Sequence, residues 1–215
     1  MRLYLSSFRM GDHPERLVSL LGRGRSAAVI ANAIDDASAQ EREDGLRREL
    51  DALAAFDIDA EELDLRDYFE RPDRLPDDLR RYGLVWLRGG NVFLLRYALA
   101  ASGADRVLVA LLEQDALVYG GYSAGPCVLG PTLRGFELVD DPDEVRRIYG
   151  VPPISDGLAV LDYVIVPHVD SPEHPETERC AALAERLRID GVPYRTLRDG
   201  EAIVVDGSEE LIERS

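Results

Sequence analysis

The run Gly121-Tyr122-Ser123-Ala124-Gly125 places a hydroxyl between small neighbours, after an apolar stretch at 117–120 and ahead of a helical one. A serine on a tight strand-to-helix turn sits in a strained backbone conformation, which only small residues beside it tolerate. The helix that follows aims its first amides at the point where negative charge develops in acyl transfer. Ser123 is therefore the candidate nucleophile. The competing reading is a glycine-rich turn that only closes a strand, and the preceding apolar stretch favours the first.

A serine hydroxyl needs a base, and the chain has three histidines, His13, His168 and His174. His168 follows the apolar run 160–166, so a strand end presents it to a crevice. His13 precedes Pro14 in an N-terminal loop, and His174 lies in Ser171-Pro172-Glu173-His174-Pro175, an exposed loop by composition. His168 is the preferred base. The base needs an orienting carboxylate, and acidic residues are plentiful here. Asp199 and the nearby Glu201 both qualify, but Asp199-Gly200 suits equally the turn of a hairpin between strands at 194–197 and 202–205. Gly89-Gly90-Asn91 ends the apolar run 84–87. Glycines let the backbone approach a ligand, so Gly90 N–H and Ala124 N–H are the candidate oxyanion donors. Asn91 also suits the cap of a helix beginning at Val92.

These residues need a scaffold, and strand and helix patterns alternate through the first half of the chain. Strands are expected at 3–6, 27–31, 60–65, 84–87 and 117–120, and helices at 15–21, 38–56, 77–82, 92–102 and 105–114. Such alternation predicts a three-layer α/β fold, a mainly parallel sheet with helices on both faces, whose functional residues lie at the carboxyl ends of strands. Both glycine-rich runs fall at such ends. Residues 130–157 are rich in Pro, Gly and Asp without a long periodic segment, as in a functional loop or lid. A helix over 176–187 carries Cys180, Leu183 and Leu187 on one face.

The 215 residues fit a single domain over 1–215, and 46% hydrophobic residues with 31% charged ones describe a buried core under a solvated surface. A net charge of −16 without a basic stripe argues against nucleic acid and against an anionic membrane surface as partners. All 25 basic residues are arginine, which excludes a catalytic lysine. Cys127 and Cys180 form no CxxC pair and no zinc-type cluster with histidine, so both are expected in the core and neither a metal nor a cofactor is expected. Trp86 is expected to be buried in its strand. The N-terminus lacks signal-peptide features and no apolar run has membrane-spanning length, so the expected location is the cytoplasm.

Five segments together resemble the peptidase E family, which includes aspartyl dipeptidase and, more distantly, cyanophycinase. They are 87–95 (LRGGNVFLL), 121–125 (GYSAG), 131–134 (PTLR), 166–168 (VPH) and 197–205 (LRDGEAIVV). The resemblance implies a class I glutamine-amidotransferase-like fold and a serine peptidase of short peptides, a monomer or homodimer, that releases the N-terminal residue. Ser123 matches the family's nucleophile, His168 its base, Asp199 its acid, and Gly90 and Ala124 its oxyanion hole; Asn91, beside that hole, is an expected substrate-binding residue. In aspartyl dipeptidase a Glu-Thr-Arg run after the histidine supplies an arginine for the acidic side chain. Here the run reads Glu176-Thr177-Glu178-Arg179, and a one-residue shift on a helix turns a side chain by about 100°. Strict specificity for N-terminal Asp is therefore not expected. If an Asp pocket exists, Arg179 or Arg134 is its expected source.

A lipase or esterase also uses G-x-S-x-G, but its histidine comes last in the triad and near the C-terminus. Here 41 residues without histidine follow His174. A glutamine amidotransferase needs cysteine at position 123. The remaining alternative is a non-catalytic small-peptide or small-molecule binding protein on the same fold.

Overall fold

Strand β1 (Arg2–Ser6) pairs in parallel with β5 (Val118–Tyr122), and β5 in turn with β4 (Leu84–Leu87). Beyond β4 lie β2 (Ser26–Ile30) and β3 (Asp59–Glu62), also parallel. On the far side of β1, β8 (Ala202–Asp206) and the edge strand β9 (Ser208–Ile212) run antiparallel. The seven-stranded order is β3-β2-β4-β5-β1-β8-β9, and a separate parallel pair joins β6 (Val164–Val166) to β7 (Tyr194–Thr196). These coordinates form a computed structural model that describes every residue except Arg23 and Ser215.

The central strands are buried on both faces, so successive residues enter different cores. Leu3, Leu5, Ala28, Ile30, Val85, Leu87 and Tyr119 face one core. There they meet α3 (Leu75–Leu79), α4 (Val92–Ser102), α5 (Ala104–Glu113), α6 (Ala124–Cys127) and, further out, α8 (Thr177–Asp190). Tyr4, Ala27, Val29, Leu84, Trp86, Val118 and Tyr122 face the other, against α1 (Glu15–Leu21) and α2 (Ala39–Ala54). Two helical layers thus sandwich the sheet, as the alternation predicts. Cys127, Cys180 and Trp86 are all buried.

Local chemistry sets the element ends. Helix α2 begins in a capping box: Ser38 Oγ accepts from Glu41 N, and the Glu41 carboxylate accepts from Ser38 N. Helix α4 is apolar nearly all round, and its first N–H groups donate to Asn91 Oδ1 and to Asp140 Oδ2. The 130–157 segment holds a helix, α7 (Asp143–Tyr149), too short to stand out as a periodic pattern.

Two expectations need correction. The strand expected over 160–166 is only Val164–Val166, because Val160 N and Leu161 N donate to Leu129 O instead of a ladder. Asp199-Gly200 is not a hairpin turn. Strand β7 pairs with β6 in the small sheet, whereas β8 inserts beside β1 in the large one, so residues 197–201 bridge two sheets. The hairpin is β8–β9, reversing at Gly207 with φ 77°.

Candidate active site

Strand β5 lies between β4 and β1, so three strand ends meet: Gly89-Gly90 after β4, Ser6-Ser7 at the end of β1, and Ser123 after β5. Ser123 has φ 52° and ψ −111°, a conformation that L-residues rarely adopt. Its N–H is anchored to Ser6 O (3.3 Å) and Ser7 O (3.1 Å). The turn demands close approach, since a Cβ on Gly121 would lie 2.5 Å from Leu87 O. Gly90 has φ 144° and would press a Cβ to 2.4 Å from Ala33 O. Asn91 N–H donates to that same carbonyl (2.8 Å), whereas Gly90 N–H has no protein acceptor among the described residues. Ala124 is the first residue of α6, where N–H groups lie outside the helix ladder.

His168 is buried at the end of β6 with φ 62°, and its Nδ1 lies 2.7 Å from Asp199 Oδ1. The bridging segment that replaces the expected hairpin is what carries Asp199 there. Asp199 N donates to Ser171 Oγ (2.8 Å) and Ser7 Oγ to Asp199 Oδ1 (2.8 Å). Burial raises the Asp199 pKa, but hydrogen bonds from His168 and Ser7 and the nearby imidazoles outweigh it, and the carboxyl is held below its ordinary range. Glu201, the alternative acid, instead accepts from Arg198 N (2.8 Å). Ser123 Oγ makes no hydrogen bond to His168 among the described contacts; such bonds often tighten only when substrate arrives.

The loop histidine is not isolated in solvent. His174 stacks on His168 with ring centroids 3.6 Å apart and planes within 1°. Phe8 packs edge-on against both rings. Burial, then the neighbouring His168, lowers the His174 pKa. Ligand atoms of His168, His174 and Asp199 fall within 4.8 Å of one another. The parallel imidazoles nevertheless point their in-plane lone pairs along separate planes, so they do not converge on one ion.

A cleft of about 530 Å³ joins Ser123, His168, His174, Gly90 and Asn91. Its walls are rich in carboxylates, Asp36, Glu49, Asp140, Asp141, Glu144 and Glu176, against three arginines, Arg9, Arg48 and Arg88. Burial, then Glu176 and Asp36, pushes the Asp140 pKa up to about 7. Arg134 and Arg179 are exposed and do not line the cleft; Arg179 Nη1 donates to Val139 O (3.5 Å) at its edge. Glu49 is largely buried in the cleft wall and accepts from Trp86 Nε1 (3.0 Å) and Tyr122 Oη (2.8 Å). Sequence reasoning missed Glu49, Arg88 and Asp140. Only the unusual glycine within α2, Gly45, packed against the Arg88 guanidinium, offered a signal for that arginine.

A family model for peptidase family S51 matches residues 15–212. A Streptomyces coelicolor protein described as peptidase E is 30% identical over 154 residues, 70% of this chain and 59% of its own length. A probable alpha-aspartyl dipeptidase of Drosophila melanogaster is 28% identical over 75% of this chain and 63% of its length. An uncharacterized peptidase of Listeria innocua is 26% identical over 58% of this chain, and the match spans 55% of the Listeria protein. Among solved structures, a Listeria monocytogenes protein assigned to peptidase E superposes with a TM-score of 0.78 at 21% identity, covering 100% of this chain and 98% of the other. A peptidase from an acI-B1 actinobacterium gives 0.70 at 17% identity, covering 100% and 88%. The chain belongs to peptidase family S51.

Proposed function

We propose that this chain is a serine peptidase that removes the N-terminal residue from short peptides. The observation that carries the reading is the 2.7 Å His168–Asp199 pair opening onto the cleft where Ser123 sits on a strained turn. In this reading Ser123 Oγ attacks the scissile carbonyl and His168 Nε2 takes its proton. Asp199 holds the Nδ1–H and stabilises the imidazolium that forms. Gly90 N–H and Ala124 N–H stabilise the oxyanion. His168 then returns the proton to the leaving amine, and water releases the acyl group.

The acidic walls support recognition of a free α-ammonium group. Burial, then repulsion from Glu176 and Asp36, makes Asp140 resist ionising, and an arriving ammonium favours its charged form. Asn91 forms wall and helix cap at once. Preference for Asp is not expected to be strict, because Arg179 and Arg134 lie outside the cleft walls. Arg179 could serve an acidic side chain only by reaching in from the edge.

The test is hydrolysis of a dipeptide series that varies the first residue, with free and N-acetylated forms. The wild-type protein should cleave the free forms and Ser123→Ala should not. Acetylation should cost about a hundredfold in kcat/KM, roughly 2.7 kcal/mol. Equal cleavage of acetylated peptides would refute the exopeptidase reading. An Asp lead of about a hundredfold would establish a working Asp pocket.

A further inference from the structure

We propose that Ser7 is a positioning residue that ties the nucleophile, base and acid segments together through one side chain and its own carbonyl. The inference rests on the Ser123–His168–Asp199 reading above. Ser7 follows β1, is fully buried, and contacts all three segments. Its carbonyl accepts from Ser123 N–H (3.1 Å), which helps hold the nucleophile in its left-handed conformation. Its hydroxyl accepts from His168 N–H (2.9 Å), and His168 is itself at φ 62°. The same hydroxyl donates to Asp199 Oδ1 (2.8 Å), the oxygen that faces His168 Nδ1. Leu197 O, at 3.4 Å, is the weaker alternative acceptor.

The arrangement assigns each hydrogen a direction. A hydroxyl carries one proton, and the ionised Asp199 is a stronger acceptor than a backbone carbonyl. The Ser7 proton therefore goes to Asp199, and its lone pair receives the His168 amide. Ser7→Ala removes the carbonyl's side-chain companion but not the carbonyl, so the Ser123 anchor survives. It leaves the buried His168 N–H without an acceptor and returns negative charge to Asp199 Oδ1. More charge on that oxygen favours the imidazolium form of His168. A purely space-filling role for Ser7 has no such consequence.

The experiment compares wild type, Ser7→Ala, Ser7→Thr and Ser7→Cys on the dipeptide that wild type cleaves best. Ser7→Ala should lower kcat by about tenfold to a hundredfold, as slight misplacement of reacting groups does, with KM nearly unchanged. The acid limb of its kcat/KM profile should move upward by about half a pH unit. Ser7→Thr, which keeps the hydroxyl, should restore the limb to the wild-type position. Ser7→Cys, a weaker donor of similar shape, should fall between and serves if Ser7→Ala does not fold. The downfield proton resonance of His168 Nδ1–H should shift in the same order without substrate. A folded Ser7→Ala with wild-type kcat, acid limb and resonance overturns the role of Ser7 and leaves the triad reading intact. Inactivity of wild type on every peptide, or full activity of Ser123→Ala, overturns the triad reading and this inference with it.

Discussion

One oxygen of Asp199 accepts from both Ser7 Oγ and His168 Nδ1, which in the proposed mechanism fixes the acid before substrate arrives. If the proposed mechanism holds, His168→Ala should cost on the order of 10⁴ to 10⁶ in turnover, as removal of a triad member does. His174 has a different part. Its ring covers one face of His168, and burial, then that neighbour, lowers its own pKa. His174→Ala should cost about tenfold, a positional effect far below loss of the base; steady-state kinetics on one dipeptide measures both. At this scale the proposed nucleophile Ser123 and base His168 were legible in the sequence, because a small-residue turn and a choice among three histidines leave few alternatives. From the residues alone Asp199 was one of two carboxylates near a turn, and only the family resemblance singled it out. Ser7 and Glu49 were not, since their partners lie 192 and 73 residues away along the chain.

The elements place these residues by close backbone approach. Gly121→Ala would put a methyl 2.5 Å from Leu87 O on the neighbouring strand. It should destabilise the protein by about 2 to 4 kcal/mol, read from urea unfolding, because backbone cannot yield as a side chain can. Asp140 couples the first turn of α4 to the cleft by accepting from Val92 N. Its folded pKa, up at about 7, lies above the ordinary carboxyl value of about 3.9. A raised carboxyl contributes stability that is full below the unfolded value and is lost as pH rises through the folded one. The melting temperature of Asp140→Asn, which keeps the acceptor for Val92 N–H, should therefore gain on wild type as pH rises from about 4 to about 8. A constant difference would show that Asp140 is not held protonated. Helices α1 and α4 and strand β4 were legible to the residue, since periodicity and the Asn91 cap are local signals. The destination of β8 was not. Its pairing with β1 is a tertiary choice between sheets, and an Asp-Gly pair at 199–200 imitates the turn that 206–207 makes.

Across the whole molecule, a net charge of −16 and acidic cleft walls set the field that a substrate meets. Added salt screens charges separated by more than about 10 Å at 0.1 M. Raising NaCl from about 20 to about 200 mM should therefore increase kcat/KM for a dipeptide of net charge −1 relative to a neutral one. An unchanged ratio would show that local arginines such as Arg88 already offset the field. The charge balance was legible at once from composition, whereas its concentration in the cleft depends on Asp36, Asp140 and Glu176 arriving from three separate segments. No helix among the described residues is long and apolar enough to cross a membrane. The central claim is that one serine in this molecule is an activated nucleophile. It is tested most directly by treating the intact protein with a fluorophosphonate and locating the adduct by mass spectrometry. A single adduct on Ser123, slowed at least a hundredfold (about 2.7 kcal/mol) in His168→Ala, is the expected result. No adduct on Ser123, or labelling that is indifferent to His168, would contradict it.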